Sequence, residues 1–155
     1  MLQRIQSLYL FIVFALLLAM YFNSLAIFFD SSGKFYMLLY IGIAKLTSNS
    51  WIILKHNYLT TFLLIISSVL VLVCIFLYKN RKVQIKGCYI LIVVLILFSG
   101  CILLTYKSVQ LECFMTSSHL SIVSILPVIS IVLVYLAIIA IKKDERLVKS
   151  IDRIR

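Results

Sequence analysis

The sequence offers few side chains whose types and spacing could do chemistry. His56, His119, Glu112 and Cys113 carry the atom types that bind zinc, but no pair has a ligand spacing. A metal-dependent enzyme would need these residues, which come from two separate loops, to converge within coordination distance. A nucleophile elbow, a phosphate loop and paired carboxylates are missing from the sequence. We therefore predict no catalytic residues, no metal and no cofactor, and we do not expect an enzyme.

The four cysteines raise the question of redox chemistry. Four-span thiol oxidoreductases exchange electrons through closely spaced pairs such as C-x-x-C, whereas Cys74, Cys88, Cys101 and Cys113 are isolated along the chain. A disulfide between Cys101 and Cys113 is an open alternative. The main expectation is that the cysteines are small, buried apolar side chains.

The composition is that of a membrane protein. Of the 155 residues, 64% are hydrophobic and 13% are charged, against about 25% charged residues in soluble domains. A bilayer core about 30 Å thick requires about 20 apolar residues of helix. Four stretches qualify, at residues 7–29, 59–78, 88–106 and 120–141. They predict an all-α membrane protein in which residues 1–155 form a single domain, a bundle of four transmembrane helices.

Basic residues are concentrated on one side of these four spans. That side holds eleven of the 15 lysines and arginines: Arg4, Lys79, Arg81, Lys82, Lys86, Lys142, Lys143, Arg146, Lys149, Arg153 and Arg155. The other side holds Lys34, Lys45, Lys55 and Lys107. Because cytoplasmic loops are enriched in Lys and Arg near the spans, both termini are predicted to be cytoplasmic. The net charge of +10 then reflects orientation and does not predict a nucleic-acid partner.

The first span has a second interpretation as a cleaved signal peptide, because Ser24 and Ala26 resemble the small-residue cleavage pattern. The apolar run continues past Ala26, however, and cleavage would leave three spans that divide the basic residues across the membrane. We therefore expect the first span to be retained.

The segment 142–155, called the tail below, is predicted to be a basic amphipathic helix on the cytoplasmic side. At 100° per residue its apolar side chains form one stripe and most of its basic side chains lie opposite. Such a helix can lie on anionic lipid or dock a protein partner, although an ordinary topology anchor would have the same pattern. The candidate interaction residues are Arg146, Leu147, Lys149, Ile151, Arg153 and Arg155 in the tail, and Trp51 with its flanks on the opposite side.

Three segments of the sequence carry a family resemblance. The opening "MLQRIQSLYL", the connector "FLYKNRKVQIK" and the ending "LAIIAIKKDERLVKSIDRIR" resemble those of small integral-membrane proteins of Bacteroidota, the family called domain of unknown function 4293. The resemblance covers the whole chain, and the ending is its most specific part. It implies a four-span protein of the bacterial inner membrane. It implies no activity and no functional residues.

The outer loops are expected to hold a small sheet. Aromatic and β-branched residues on either side of "TSNS" predict strands at about residues 35–46 and 51–55. The alternation in "SVQLECF" predicts a third, at 108–114. An interfacial helix at 35–46 is the competing interpretation. The architecture resembles that of claudin-like proteins, but their tryptophan-and-paired-cysteine signature is missing here. The edges of such a sheet would meet a neighbouring protein, a second copy or the outer leaflet.

The polar residues within the spans are predicted to serve packing. Asn23 is expected to face another helix, and Ser67–Ser68 and Ser99–Gly100 are expected to be close contacts between helices. Pro127 should kink the fourth span or mark an offset start of its helix. The ionisable side chains that ion pumps use are missing from all four stretches.

Two functional hypotheses remain from the sequence. The first is a non-enzymatic inner-membrane protein, an accessory or assembly subunit that acts by contact with a membrane-protein partner, a second copy or lipid. The second is a small transporter or channel for a neutral or lipid-like substrate, lined by Asn23, the serines and the Pro127 kink. A water-accessible cavity among the helices would favour transport, and a dry bundle would count against it.

Overall fold

Four long helices and one small sheet make up the part of the chain that the structure describes. The computed structural model describes residues 3–29, 35–47, 50–77, 80–112 and 117–152, with side chains for 7–29, 35–45, 52–77, 80–111 and 118–145. The helices are α1 (Gln3–Phe22), α2 (Tyr58–Phe76), α3 (Arg81–Glu112) and α4 (Leu126–Asp152). The strands are β1 (Ala26–Phe29), β2 (Phe35–Leu38), β3 (Gly42–Thr47), β4 (Ser50–His56) and β5 (Ser117–Leu120). A short 3-10 helix, Ile122–Ile125, leads into α4.

Three of the helical segments are long and apolar enough to cross a membrane, namely Tyr58–Phe76, Arg81–Leu111 and Ile122–Glu145. The segment Ser7–Phe22 of α1 is a shorter apolar helix. The prediction of long apolar helices with a small sheet is thus confirmed for α2, α3 and α4.

The helices pack side by side in the order α1, α2, α3, α4, and α4 closes on α1. The buried residues recur at alternating intervals of three and four, which keeps one stripe of each helix facing its neighbours. In α3 this stripe is Gln84, Cys88, Leu91, Leu95, Phe98, Ile102 and Val109, and in α1 it is Leu10, Val13, Leu17 and Met20. The core of the bundle is therefore continuous along the helix axes.

The five strands form one sheet in the order β4-β3-β2-β1-β5, in which every pair is antiparallel. β1 follows α1, β4 precedes α2, and β5 lies between α3 and α4. The sheet therefore covers one end of the bundle, called the sheet end below. Ala26, Phe28 and Leu38 are buried there as part of the core, so the sheet and the helices share their apolar interior.

The first predicted span is longer than the helix that forms. α1 ends at Phe22, and Ala26–Phe29, which the sequence assigned to the span, is β1. The backbone N–H of Leu25 donates to Leu38 O at 2.7 Å, and Leu25 O accepts from Ser121 N at 3.0 Å. Sheet hydrogen bonds therefore take up the backbone here, and an apolar run alone does not separate a strand from a helix.

The outer loops form strands at two of the three predicted places, but the segment predicted as one strand at 35–46 is two strands, β2 and β3. The interfacial-helix alternative for 35–46 is wrong: β2 and β3 form a hairpin in which Leu39 and Gly42 exchange backbone hydrogen bonds. The strand predicted at 108–114 is wrong as well, because the described part of that segment continues α3 to Glu112. The third element is β5, further along. Burial of Val109, seven residues after Ile102, explains why the helix continues.

The fourth helix includes most of the predicted tail. α4 runs to Asp152 without interruption, and Ile141 and Asp144 are both buried in it. The first part of the tail is thus a continuation of the long apolar helix α4. Leu120 lies in β5 instead of the fourth span, and α4 begins at Leu126. Pro127 is in the first turn of α4, where its missing N–H costs nothing, so it marks a helix start and does not kink the helix.

Candidate functional site at the sheet end

A polar cleft lies where β4 turns into α2 beside the last turns of α3. Its volume is about 230 Å³. The lining residues are Ile43, Lys55, His56, Asn57, Leu104, Thr105, Ser108 and Val109. They come from β3, β4, the α2 junction and α3, so the cleft exists only when the sheet is docked on the bundle.

Asn57 connects the elements that line the cleft through its hydrogen bonds. Its side-chain Nδ2 donates to Thr105 Oγ1 at 2.8 Å, which ties the start of α2 to α3. Its backbone N–H donates to Ile41 O at 2.7 Å, which ties the same residue to the sheet. Thr61 Oγ1 donates to Tyr40 O at 2.9 Å and reinforces the junction one turn later. These hydrogen bonds therefore join the start of α2 both to α3 and to the turn between β2 and β3.

Loss of the Asn57 amide should loosen this junction. We expect Asn57→Ala to lower the free energy of unfolding in detergent by about 1 kcal/mol, as for one partly buried hydrogen bond. Thr105→Val should have a similar effect, and in a double-mutant cycle the pair should be coupled by about 1 kcal/mol. Asn23→Ala is the matched control, because Asn23 is exposed and, among the described residues, its amide donates only to Ala19 O of the preceding helix α1. Fully additive effects of the Asn57 and Thr105 substitutions would contradict the assignment.

The two histidines do not form a site with each other. His56 ends β4 and His119 lies in β5, and these strands are the opposite edges of the five-stranded sheet. Four strand spacings of about 4.8 Å place them about 19 Å apart. Within the described residues no group of three or more His, Cys, Asp and Glu side chains could hold a metal ion. The zinc arrangement considered from the sequence is thus excluded for His56 and His119.

Two of the cysteines are not isolated in the fold. Cys74 near the end of α2 and Cys88 near the start of α3 are both buried, and their side chains lie close enough to interact. A Cβ on Gly87 would lie 2.9 Å from Cys74 Sγ, so α2 and α3 approach closely here. Cys101 is a free, half-buried thiol, and Cys113 lies outside the described residues. Helix packing thus brings together a pair that spacing along the chain did not suggest.

The polar residues predicted for helix packing have different environments. Ser67 and Ser68 are buried in α2 and donate to Leu64 O, and Tyr21 OH lies 3.4 Å from Ser68 Oγ across the contact with α1. The expectations for Asn23 and for Ser99–Gly100 are wrong. Asn23 is exposed just past the end of α1. Ser99 donates within its own helix, and a Cβ on Gly100 would meet nothing within 4 Å.

The candidate interaction residues lie at opposite ends of the molecule. The backbones of Arg146, Leu147, Lys149 and Ile151 are helical in α4, and that of Trp51 is in β4. Their side chains lie outside the described part of the structure, as do Arg153 and Arg155 entirely. The edge position of β4 is nevertheless clear from the strand order.

The comparison with protein families decides the identity of the chain. The model of the domain of unknown function DUF4293 matches residues 2–154, which is nearly the whole sequence. The chain belongs to the DUF4293 family. The resemblance seen in the three sequence segments is thereby confirmed. No curated protein matches the DUF4293 chain in sequence.

Sequence reasoning on the DUF4293 protein missed the polar cleft. It considered His56 as a metal ligand and Lys55 as a topology signal, and it gave Asn57 and Ser108 no role. One local signal was available, because an asparagine directly before an apolar run is typical of a helix start. Nothing local connects that asparagine with Thr105, which is 48 residues further along the chain.

Proposed function

We propose that the DUF4293 protein is a four-span protein of the bacterial inner membrane, with both termini cytoplasmic, that acts by contact as an accessory or assembly subunit. It would bind a membrane-protein partner or a second copy of itself, with anionic lipid against the basic tail. No catalysis, cofactor or nucleic acid is part of this proposal.

The element order supports the four-span topology. α1 has 20 residues, which is about 30 Å of helix, and it packs between α2 and α4. Every connection at the sheet end contains strands, whereas the end of α2, the start of α3, the start of α1 and the end of α4 lie at the opposite end. Eleven of the 15 basic residues lie at that opposite end in sequence, which supports its cytoplasmic location.

The edge strand β4 is the observation that carries the contact hypothesis. Ile52, Ile53 and Leu54 are consecutive, and each is at least 40% exposed. Alternate residues of a strand point to opposite faces, so both faces of β4 are apolar and uncovered. This surface continues into exposed Tyr58 and Leu59 at the start of α2. An apolar sheet edge of this kind favours pairing with another protein.

The bundle interior is packed with apolar side chains, which supports the contact hypothesis over the transporter hypothesis. Leu17 of α1, Val71 of α2, Leu95 of α3 and Val134 of α4 are all fully buried in one apolar cluster. Two of the residues suggested for a pathway do not contribute to one, since Asn23 is exposed and Pro127 starts a helix. Ser67, Ser68 and Ser130 are buried, and the hydroxyls of Ser67 and Ser68 donate to the backbone of their own helix.

A crosslinking experiment tests the contact directly. A photo-crosslinking residue at Leu54 should capture one protein in stoichiometric amount in living cells. The matched site is Val93 on α3, which is 56% exposed, like Leu54, but lies mid-span and should capture only lipid. Capture of lipid alone at both sites would contradict the proposal and favour transport.

The role of the tail needs a separate test, in which the truncation leaves the helix bundle intact. Because Asp144 is buried, removal of residues 142–155 would disturb the bundle, so truncation should begin at Arg146. Loss of the captured partner on truncation would make the tail part of the docking surface, and retention would leave it as a lipid anchor. A reporter fused after Arg155 that proved periplasmic would overturn the orientation.

A further inference from the structure

The contact between Cys74 and Cys88 brings two thiols together inside the helix bundle. Cys74 is in the last turn of α2, and Cys88 lies near the start of α3. Each is at most 1% exposed, and their side chains lie close enough to interact. The two helices approach closely at this level, because a Cβ on Gly87 would lie only 2.9 Å from Cys74 Sγ. The pair therefore presents two sulfur atoms to one ligand.

Gln84 adds a second feature to the same place. It is 2% exposed, and its side-chain Nε2 donates to Cys74 O at 3.0 Å. It lies one helical turn before Cys88, so its amide group is beside the thiol pair. Its Oε1 is buried and has no hydrogen-bond partner among the described residues. A buried acceptor without a partner is destabilising, and a cation bound next to it would reduce that penalty.

The two sulfur atoms also determine which class of metal ion fits. Thiolates are soft ligands, which favour Cu(I) over hard ions such as Mg²⁺ and Ca²⁺. Zinc takes three or four protein ligands, whereas within the described residues no group of three or more His, Cys, Asp and Glu side chains could hold a metal ion. Two thiolates are sufficient for Cu(I), which binds them in a linear arrangement. The pair therefore fits Cu(I) better than it fits zinc.

The charges at this end of the bundle are compatible with such a complex. Cu(I) replaces the two thiol protons, which are released, and the resulting bis-thiolate complex carries one negative charge. Arg81, Lys82 and Lys86 lie at the start of α3, and the first turn of this helix contains no acidic residue. Nearby positive charge stabilises an anionic group. Asp144 and Glu145 of α4 are acidic groups at the same end, and each has an interaction partner of its own.

We infer that Cys74 and Cys88 bind one Cu(I) ion as a two-thiolate site, at the end of the bundle opposite the sheet. Cys74 lies two residues before the end of α2 at Phe76, so the ion would enter from that end and not through the apolar core. The inference goes beyond the proposed function. It depends neither on a protein partner nor on the orientation of the chain in the membrane, so either idea can fail alone.

Anaerobic titration of the purified full chain in detergent tests the site. The probe is Cu(I) in the presence of bicinchoninate, a chromogenic chelator that competes for the ion. We expect the chain to remove one Cu(I) per molecule from the chelator. The double variant Cys74→Ala/Cys88→Ala should lose this binding. The matched control is Cys101→Ala/Cys113→Ala, which removes the same number of thiols, leaves the pair intact and should bind like the parent.

X-ray absorption at the copper edge gives an independent measurement on the unchanged chain. We expect two sulfur neighbours at bonding distance from the metal. Three or four sulfur neighbours would overturn the site, because other cysteines or a second copy would then take part. Retention of binding in Cys74→Ala/Cys88→Ala, or its loss in the control, would also overturn it. So would failure of the unchanged chain to compete with bicinchoninate, an outcome that requires no variant to fold.

Discussion

Gly42→Ala is expected to lower the free energy of unfolding by about 3 kcal/mol, the upper end of the overpacking range. Gly42 is paired with His56 in the β3–β4 ladder. A Cβ at this position would overlap the backbone carbonyl oxygen of Lys55 and would lie 3.0 Å from His56 Cα. Both of these are backbone atoms, so the clash cannot be relieved by a change of side-chain rotamer. The two strands would have to separate at the point where β4 enters the cleft.

The measurement is the thermal unfolding midpoint of the purified protein in detergent. Gly100→Ala is the matched control, because a Cβ there meets nothing within 4 Å and the residue lies inside α3. Alanine in a helix interior is favoured over glycine by up to about 1 kcal/mol, so this variant should be as stable as the parent or more so. Equal midpoints for the two variants would show that the β3–β4 contact is looser than described.

Phe28→Ala is expected to have the largest effect of any truncation in the sheet, about 3 to 4 kcal/mol of unfolding free energy. Phe28 is fully buried, and its ring lies 5.3 Å from that of Tyr106 on α3. Its strand pairs with β2 on one side and β5 on the other. Removing the ring leaves a cavity between sheet and bundle that the paired strands cannot easily close.

Phe29→Ala is the matched control for Phe28→Ala. Phe29 is the next residue but is 40% exposed, and its ring contacts only that of Phe35 among the described aromatic contacts, at 5.1 Å. Its truncation should cost less than about 1.5 kcal/mol, the value of an aromatic pair at a partly exposed site. Chemical unfolding followed by circular dichroism compares the two. A cost for Phe29→Ala as large as that for Phe28→Ala would argue against the described docking of the sheet.

The parts of the fold that the sequence predicts correctly depend on local signals. Long apolar runs indicate the helices, and the turn residues of "TSNS" indicate the β3–β4 hairpin, which pairs Thr47 with Ser50. The errors arise where composition is ambiguous. An apolar run does not show that α1 stops at Phe22, because β1 is equally apolar. The extension of α3 was readable in the spacing of Ile102 and Val109, although the alternation of apolar residues with Gln110 and Glu112 indicated a strand.

The candidate site was beyond prediction because it depends on helix register. Lys55 and Ser108 line one cleft only because α2 and α3 pack with Asn57 opposite Thr105. The Cys74–Cys88 contact has the same origin at the other end of these helices. Pairing of residues across two helices depends on their rotation and axial offset, which single-residue patterns leave open.

The pairing of β1 with β5 has a consequence for biogenesis. Ala26 is opposite Leu120 and Phe29 is opposite Ser117, so this ladder joins the first connection of the chain to its last. At a synthesis rate of 5 to 20 residues per second, the β1 edge waits roughly 5 to 20 seconds for its partner strand. During that interval the nascent four-stranded sheet has two open edges, at which another strand can pair. The β1–β5 ladder is thus a contact of very high sequence separation, and contacts of this kind form slowly during folding.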